Sequence, residues 1–356
     1  MSNFIEFNDT IAFHPGYYLK EIVDESGLTQ EDFAKLLGTT PKNLSILLKG
    51  EQDLSIDIAA KLSRMLGTTI SYWLNLQQAY DEKRAELESY EELKRERDVF
   101  GLIDYKYFRD HFHFPDLPRQ IDQQIKLVRE HLRVSSLTVL EKGHLAVKFR
   151  SYSDTLSRSN IVNANVMVQI AINMTLKMSI PRFNKGRFAK AVAFALTQTR
   201  NHSDFLPAIR DAFGEAGVAL IVLPNLKNSG VNGASKRIGG KVMLMVNDRR
   251  HYADTFWFTL LHEVGHIMND DLGISLSSES EDEADQYARE ALIPQDKYEA
   301  FVQCQRFDAA AITEFAESID RDPGIVLGRL LMDRRVSHTD TKLIKKLRHS
   351  YTVVLG

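Results

Sequence analysis

The stretch FWFTLLHEVGHIM, residues 256–268, restricts the fold more than any other part of this chain. His262 and His266 stand four residues apart around Glu263 in an otherwise apolar segment. In a helix, positions i and i+4 project from one face, so the two imidazoles reach a common point. HExxH on a helix is a metal-binding pattern in which two histidines hold the cation. The intervening glutamate lies near enough to take a proton from a water that the metal activates. The competing reading is a core helix with two satisfied histidines. Phe256, Phe258, Leu260, Leu261, Val264 and Ile267 weigh against it, because they leave the polar trio inside an apolar helix. Burying His, Glu and His there without a shared partner is costly. Gly265 in mid-helix costs about 1 kcal/mol relative to alanine, so a close approach is expected there.

A catalytic zinc needs a third protein ligand and an open fourth position. The chain has a single cysteine, Cys304, so the ligands must be His, Asp or Glu and no intrachain disulfide can form. The segment SSESEDEADQYAREALIP, residues 277–294, offers several carboxylates, and helical phase separates them. Ala284, Tyr287, Ala288, Ala291 and Leu292 form an inward face that Glu281 shares, whereas Glu279, Glu283 and Glu290 fall on the polar side. Glu281 is the expected third ligand. Asp285, four residues on, shares its face and can accept the far N–H of a ligating histidine. The site expected is therefore Zn2+ on His262, His266 and Glu281, with Glu263 as general base and Asp285 behind a histidine.

At 356 residues the chain is long enough for two or three domains. With 26% charged and 44% hydrophobic residues it has the composition of a soluble globular protein. A net charge of −3 excludes a general polyanion-coating protein but leaves room for a local DNA-binding surface. The N-terminus lacks the basic-then-apolar pattern of a signal peptide, and no apolar run approaches the ~18 residues of a membrane span. A cytoplasmic location is expected, with no membrane partner. The fold class expected is mainly α with a small β-sheet: a helical module over 1–80, a charged linker helix over 81–100, a helical middle region over 101–215, and an α+β domain over 216–356. Within the last, Val218–Leu223 and the run GKVMLMVND, residues 240–248, read as strands, and the Gly-rich NSGVNGASKRIGG between them reads as a loop or an irregular hairpin.

These segments carry a resemblance. FWFTLLHEVGHIM with ESEDEADQYAREALIP is similar to the ImmA/IrrE metallopeptidase family, whose HExxH is followed by a glutamate ligand in an E-x-E-A-N/D-x-F/Y-A segment ending near a proline. Glu281 falls on the ligand position, Asp285 on the Asn/Asp position and Pro294 on the closing proline. AGVALIVLP and DPGIVLGRLL match flanking segments, so the resemblance covers roughly residues 145–335. REALIP stands where the family usually shows AELLMP, a departure that leaves the ligands intact. The resemblance implies a zincin-like domain of the gluzincin type, with a sheet edge beside the HExxH helix. It places no residue that would stabilise an oxyanion; Arg250, His251 and Tyr252 are nearby candidates.

Residues 14–78 read as five short helices with tight, Gly-marked connections. Thr29 and Thr40 are the expected N-caps of TQEDFAKLLG and TPKNLSILLKG, with Pro41 at the first helical position. This pair fits a helix-turn-helix whose second helix enters the major groove. Phe33, Leu36, Leu37, Leu44, Leu47 and Leu48 would form its core. Thr40, Lys42, Asn43 and Ser45 would face the bases, with Lys42 and Lys49 suited to phosphate or guanine and Asn43 to adenine. A protein-binding helical module is the alternative, and charge supports it: residues 1–80 carry six basic side chains against ten acidic ones. From His14 to Asp81 the sequence resembles the HigA antitoxin branch of the Xre-type helix-turn-helix proteins. That resemblance implies a homodimer on a palindromic operator of its own operon, and a toxin as protein partner.

Three functions compete at this stage. One is a DNA-binding antitoxin and autorepressor whose metallopeptidase-like domain senses, binds or cleaves a partner. A second is a zinc endopeptidase that cuts a repressor or toxin and uses the helix-turn-helix for localisation. The third keeps zinc for stability alone, which an intact Glu263 disfavours, since a structural site needs no general base.

Overall fold

Cap residues fix where the first helices begin. In the computed structural model, which describes residues 3–142, 157–276 and 282–353, the Thr29 and Thr40 hydroxyls accept from the backbone N–H of Asp32 and Asn43. They open α2 (Gln30–Leu37) and α3 (Pro41–Leu48), which follow α1 (Pro15–Glu25). Gly38, in the left-handed region at φ 70°, ends α2 and makes the turn between them. Two more helices follow, α4 (Ile56–Leu66) and α5 (Ile70–Phe100). A hairpin that the sequence reading missed precedes them: β1 (Phe4–Phe7) and β2 (Thr10–Phe13) pair antiparallel. Asn8 and Asp9 turn it with φ 52° and 57°, a conformation these two residue types tolerate. Leu19, Val23, Phe33, Leu44, Leu47, Leu48, Leu62 and Trp73 fill the core of this first unit, Met1–Arg95. Leu36, expected in that core, is instead 65% exposed. Helix α2 is only 8 residues long, and its buried stripe runs through Phe33, Ala34 and Leu37, so Leu36 falls beside it.

The charged run over 81–98 is not a separate linker helix. It continues the fifth helix without a break, and α5 crosses from the first unit into the second, Glu96–Gly356. The second unit opens with α6 (Tyr105–Phe112) and α7 (Ile121–Leu132), then a short 3-10 turn at Leu137–Glu141. The next helices are α8 (Arg158–Lys177), α9 (Lys185–Thr197) and α10 (Phe205–Glu215). Helix α8 is buried on most faces, as its apolar sequence suggests, and its buried asparagines reach backbone carbonyls. Asn163 donates to Leu102 at 2.9 Å, Asn165 to Leu140 at 2.8 Å and Asn173 to Leu132 at 3.0 Å. Each bond satisfies a buried amide N–H and so offsets part of the penalty of placing the amide in the core.

A sheet of four strands in the order β3-β5-β4-β6 anchors the remainder of the unit. Strand β3 (Val218–Leu223) runs parallel to β5 (Lys241–Asn247), and β4 (Val231–Ile238) pairs antiparallel with both β5 and β6 (Ile274–Leu276). The Gly-rich stretch between the two expected strands is thus itself largely a strand. Its composition hid this, because only Val231 and Ile238 in VNGASKRI are β-branched aliphatics. Helix α11 (Ala253–Asn269) carries the HExxH motif, and α12 (Asp282–Leu292) packs beside it. Four further helices complete the unit: α13 (Gln295–Gln303), α14 (Ala309–Ser318), α15 (Pro323–Met332) and α16 (Thr341–Leu347). The residues read from sequence as a middle region and a C-terminal domain fall in one unit. Among the described residues, no helix is long and apolar enough to cross a membrane.

The segment after α16 lies across the start of α11. Ala253 donates to the His349 carbonyl at 2.9 Å, and Tyr351 to the His251 carbonyl at 2.7 Å. Arg348 grips Asp254 through two bonds of 2.9 and 2.7 Å, with both side chains largely buried, and its guanidinium lies 3.8 Å from the Tyr252 ring centre. Removing one partner of a buried pair strands the other charge. Arg348→Ala is accordingly expected to lower the stability of the second unit by about 3 kcal/mol, read from the urea midpoint at constant m.

Candidate metal centre and nucleic-acid interface

Helix α11 is buried along most of its length, and its motif residues point where the spacing requires. The Nε2 atoms of His262 and His266 face each other at 3.1 Å. In a tetrahedral zinc site with bonds of 2.0–2.1 Å, neighbouring donors stand about 3.3 Å apart, so the pair has the spacing of one coordination edge. Behind each imidazole stands a carboxylate: Asp285 Oδ1 lies 2.9 Å from His262 Nδ1, and Asp271 Oδ2 lies 3.2 Å from His266 Nδ1. A carboxylate that accepts a hydrogen bond from Nδ1–H holds the tautomer whose Nε2 lone pair is left for a cation. Asp285 thus stands behind His262, on the helix face shared with Ala284 and Ala288. Asp271 was missed because it lies just past the helix, beyond a left-handed Asp270 at φ 58° that folds the chain back toward His266. Glu281, the expected third ligand, lies outside the described residues.

Two glycines set how closely neighbours approach. A Cβ on Gly233 of β4 would stand 2.5 Å from Glu263 Cγ and 2.6 Å from Oε1, so the strand can lie against this side chain only as glycine. Glu263 is fully buried there. A Cβ on Gly265 would stand 3.2 Å from Tyr287, so the mid-helix glycine is where α12 closes on α11. Burial raises the pKa of the Tyr287 phenol, which keeps it neutral beside the site. On the His262 side a cleft of about 220 Å3 opens, with Asp285, Asp254 and the arginines Arg249, Arg250, Arg289 and Arg329 on its walls. Of the three oxyanion candidates, only Arg250 lines this cleft; His251 is exposed, and Tyr252 is covered by Arg348.

In the first unit, α3 presents Lys42 and Asn43 to solvent, with Thr40 exposed at its N-cap and Lys49 at its C-cap. Ser45 is half-buried. Thr40 already spends its hydroxyl on the helix N-terminus, which leaves Lys42, Asn43 and Lys49 as the freer polar surface of α3. Several of the acidic residues that give this unit its negative balance are paired locally, Glu31 with Lys35 at 2.9 Å and Asp57 with Lys61 at 2.7 Å.

Gly233→Ala is expected to destabilise the second unit by about 2 kcal/mol through overpacking, and Glu263→Ala to recover at least half of that loss in the double variant. A double-mutant cycle by urea denaturation measures this coupling; additive effects would mean that the strand and the glutamate do not touch.

The helix-turn-helix family profile matches residues 19–73. Virulence-associated protein I of Dichelobacter nodosus is 35% identical over 80 residues, which are 22% of this chain and 74% of that protein. An uncharacterised HTH-type transcriptional regulator of Escherichia coli K12 is 36% identical over 72 residues, 20% of this chain and 77% of that protein. Among solved structures, an addiction module antidote protein of a HigA family from Coxiella burnetii is 32% identical, with 23% of this chain and 91% of that chain covered at a TM-score of 0.22. The family match ends before the HExxH helix begins. Through its N-terminal helices, and on relatives matched over more than two thirds of their own length, the chain belongs to the helix-turn-helix family.

Proposed function

We propose that the protein is a DNA-binding transcriptional regulator of the HigA antitoxin kind, an autorepressor of its own operon, whose second unit carries a zinc metallopeptidase site that binds or cleaves a protein partner. The regulator half rests on the helix-turn-helix match and on the exposed Lys42 and Asn43 at the start of α3. The metal half rests on one observation above all: two HExxH imidazoles converge at 3.1 Å, each with a carboxylate behind it. That donor set fits a divalent cation. His262 and His266 would hold it, with Glu281 as the third ligand on the reading of the sequence, in a zincin-like domain. When bound, zinc supplies Lewis acidity toward water and a peptide carbonyl. Glu263 would be the chain's proton acceptor in this arrangement, its side chain held against β4 at Gly233. Asp285 orients His262, and Arg250 is the one of the three oxyanion candidates that lines the cleft.

A second reading, an endopeptidase first and a regulator second, is favoured by the open cleft against His262 and by the retained Glu263. One variant separates the two. Glu263→Gln should keep the metal and lose any cleavage of the partner. If it still represses the promoter and still protects cells from a toxin encoded nearby, regulation does not depend on proteolysis. If repression and protection fail together with cleavage, the protease reading prevails.

Metal content should fall by one zinc per chain in His262→Ala, and Asp285→Ala should weaken zinc binding about 10- to 100-fold. Unchanged zinc in the first variant would remove the site. On DNA, Asn43→Ala should cost about 1–3 kcal/mol on the protein's own promoter and relax specificity at one base position. Lys42→Ala should lower the salt slope by about 1 if it contacts phosphate. Band shifts at several salt concentrations measure both, and binding without sequence preference would turn the module into a protein-binding one. A palindromic footprint would accompany a homodimer.

A further inference from the structure

Three polar side chains from distant parts of the second unit meet away from the HExxH helix face: His202, Asp322 and His349. One ligand atom from each lies within 4.8 Å of the others. His202 sits in the turn before α10, Asp322 caps α15, and His349 belongs to the C-terminal segment that lies across the start of α11. Asp322 Oδ1 accepts from the Gly324 N–H at 2.8 Å, and Oδ2 lies 3.0 Å from His202 Nε2. The carboxylate is 2% exposed, whereas His349 is open to solvent. The two imidazole rings stack with centroids 3.7 Å apart and planes 28° from parallel.

We propose that His202, Asp322 and His349 form a second divalent-metal site, a set of two histidines and one aspartate of the kind zinc takes, which clips the C-terminal segment to α10 and α15. The chemistry of the donors carries it. A carboxylate this deep needs a positive partner. A cation shared by the carboxylate and the two rings around it would be that partner. Two imidazoles and one carboxylate are a ligand set for zinc, with donors about 3.3 Å apart once bound. Closing from the present spacing of up to 4.8 Å requires the His202–His349 stack to open, because two nearly parallel rings do not aim their nitrogens at one ion. Tyr351 supplies the outer partner that such sites use, its hydroxyl oxygen lying 2.8 Å from His202 Nδ1. The exposed side of His349 is the entry path, and a solvent molecule completes the tetrahedron.

The alternative is a metal-free chain in which His202 Nε2–H donates to Asp322 and the Tyr351 hydroxyl donates to His202 Nδ1. The two differ in what they bind. In the His262→Ala/His266→Ala variant of the full chain, which removes the HExxH imidazoles, equilibrium dialysis with Zn2+ should leave one equivalent per chain. Co2+ in its place should give the visible absorption of a tetrahedral N,N,O site. Asp322→Asn keeps an N-cap acceptor for Gly324 and should weaken that equivalent at least about 100-fold, more than the loss of an outer partner costs. His349→Gln, at an exposed position, should do the same. Zinc should also raise the melting temperature of the His262→Ala/His266→Ala protein, and no longer do so once Asp322→Asn is added. The proposal is overturned if the His262→Ala/His266→Ala protein, folded by circular dichroism, binds no metal. It is equally overturned if the residual equivalent survives both Asp322→Asn and His349→Gln. Neither result bears on the HExxH site, whose own equivalent is read from the wild-type chain by difference.

Discussion

The seating of α11 is the constraint on which the second unit is arranged. This helix must present three polar side chains to one place while burying the rest of its surface, and each neighbour is adapted to that demand. β4 approaches through Gly233, where any Cβ would collide with Glu263. Helix α12 approaches through the gap left by Gly265, against Tyr287, and sends Asp285 to His262. A left-handed residue after the helix returns Asp271 to His266. The apolar residues Trp257, Leu260, Leu261 and Val264, all fully buried, tie the helix into the main core. A side chain at Gly233 would force the strand or Glu263 to move, whereas one at Gly265 would ask Tyr287 to give by a few tenths of an ångström. Stability and chemistry therefore draw on the same few positions.

The C-terminal segment extends that logic to the N-terminal end of α11. Its backbone bonds to the residues around Tyr252, and Arg348 covers Tyr252 while gripping Asp254 from the first turn of the helix. Asp254 also lines the cleft beside His262. Because the helix is rigid, holding its first turn fixes the direction in which the later histidines point. Residues 348–353 thus act on the site through the helix and not by touching it.

How much of this was legible in the sequence depends on what kind of signal each element leaves. Caps are local, and Thr29, Thr40 and Pro41 marked their helices because a hydroxyl and a fixed φ act within one turn. The phase argument for α12 placed Ala284, Ala288 and Leu292 inward and Asp285 toward a histidine, since a single helix obeys a single period. Strand β4 left no comparable trace: its residues are chosen for what passes over them, and VNGASKRI lacks the β-branched alternation by which strands are recognised. Leu36 misled for a related reason, because an apolar residue one step off a two-turn stripe is indistinguishable from one on it. Asp271 and the His202, Asp322 and His349 group are long-range products of the fold. No spacing rule joins residues 202, 322 and 349 before the chain has closed.

Charge over residues 1–80 narrows what kind of DNA reader the proposed regulator is. Non-specific affinity comes from phosphate neutralisation, and a module with six basic and ten acidic side chains has little to offer it. Part of the acidic excess is neutralised in place, as Glu31 with Lys35 and Asp57 with Lys61, but these pairs also occupy lysines that phosphates would otherwise draw. What remains on α3 is short and specific: Lys42 and Asn43 near its start and Lys49 at its end. A surface of that kind gains its affinity from base contacts and from repetition, not from a charged stripe, so a second copy of the same helix one turn along the duplex would multiply it where extra lysines do not. Weak attraction to random DNA is the expected consequence, which leaves discrimination to the base contacts.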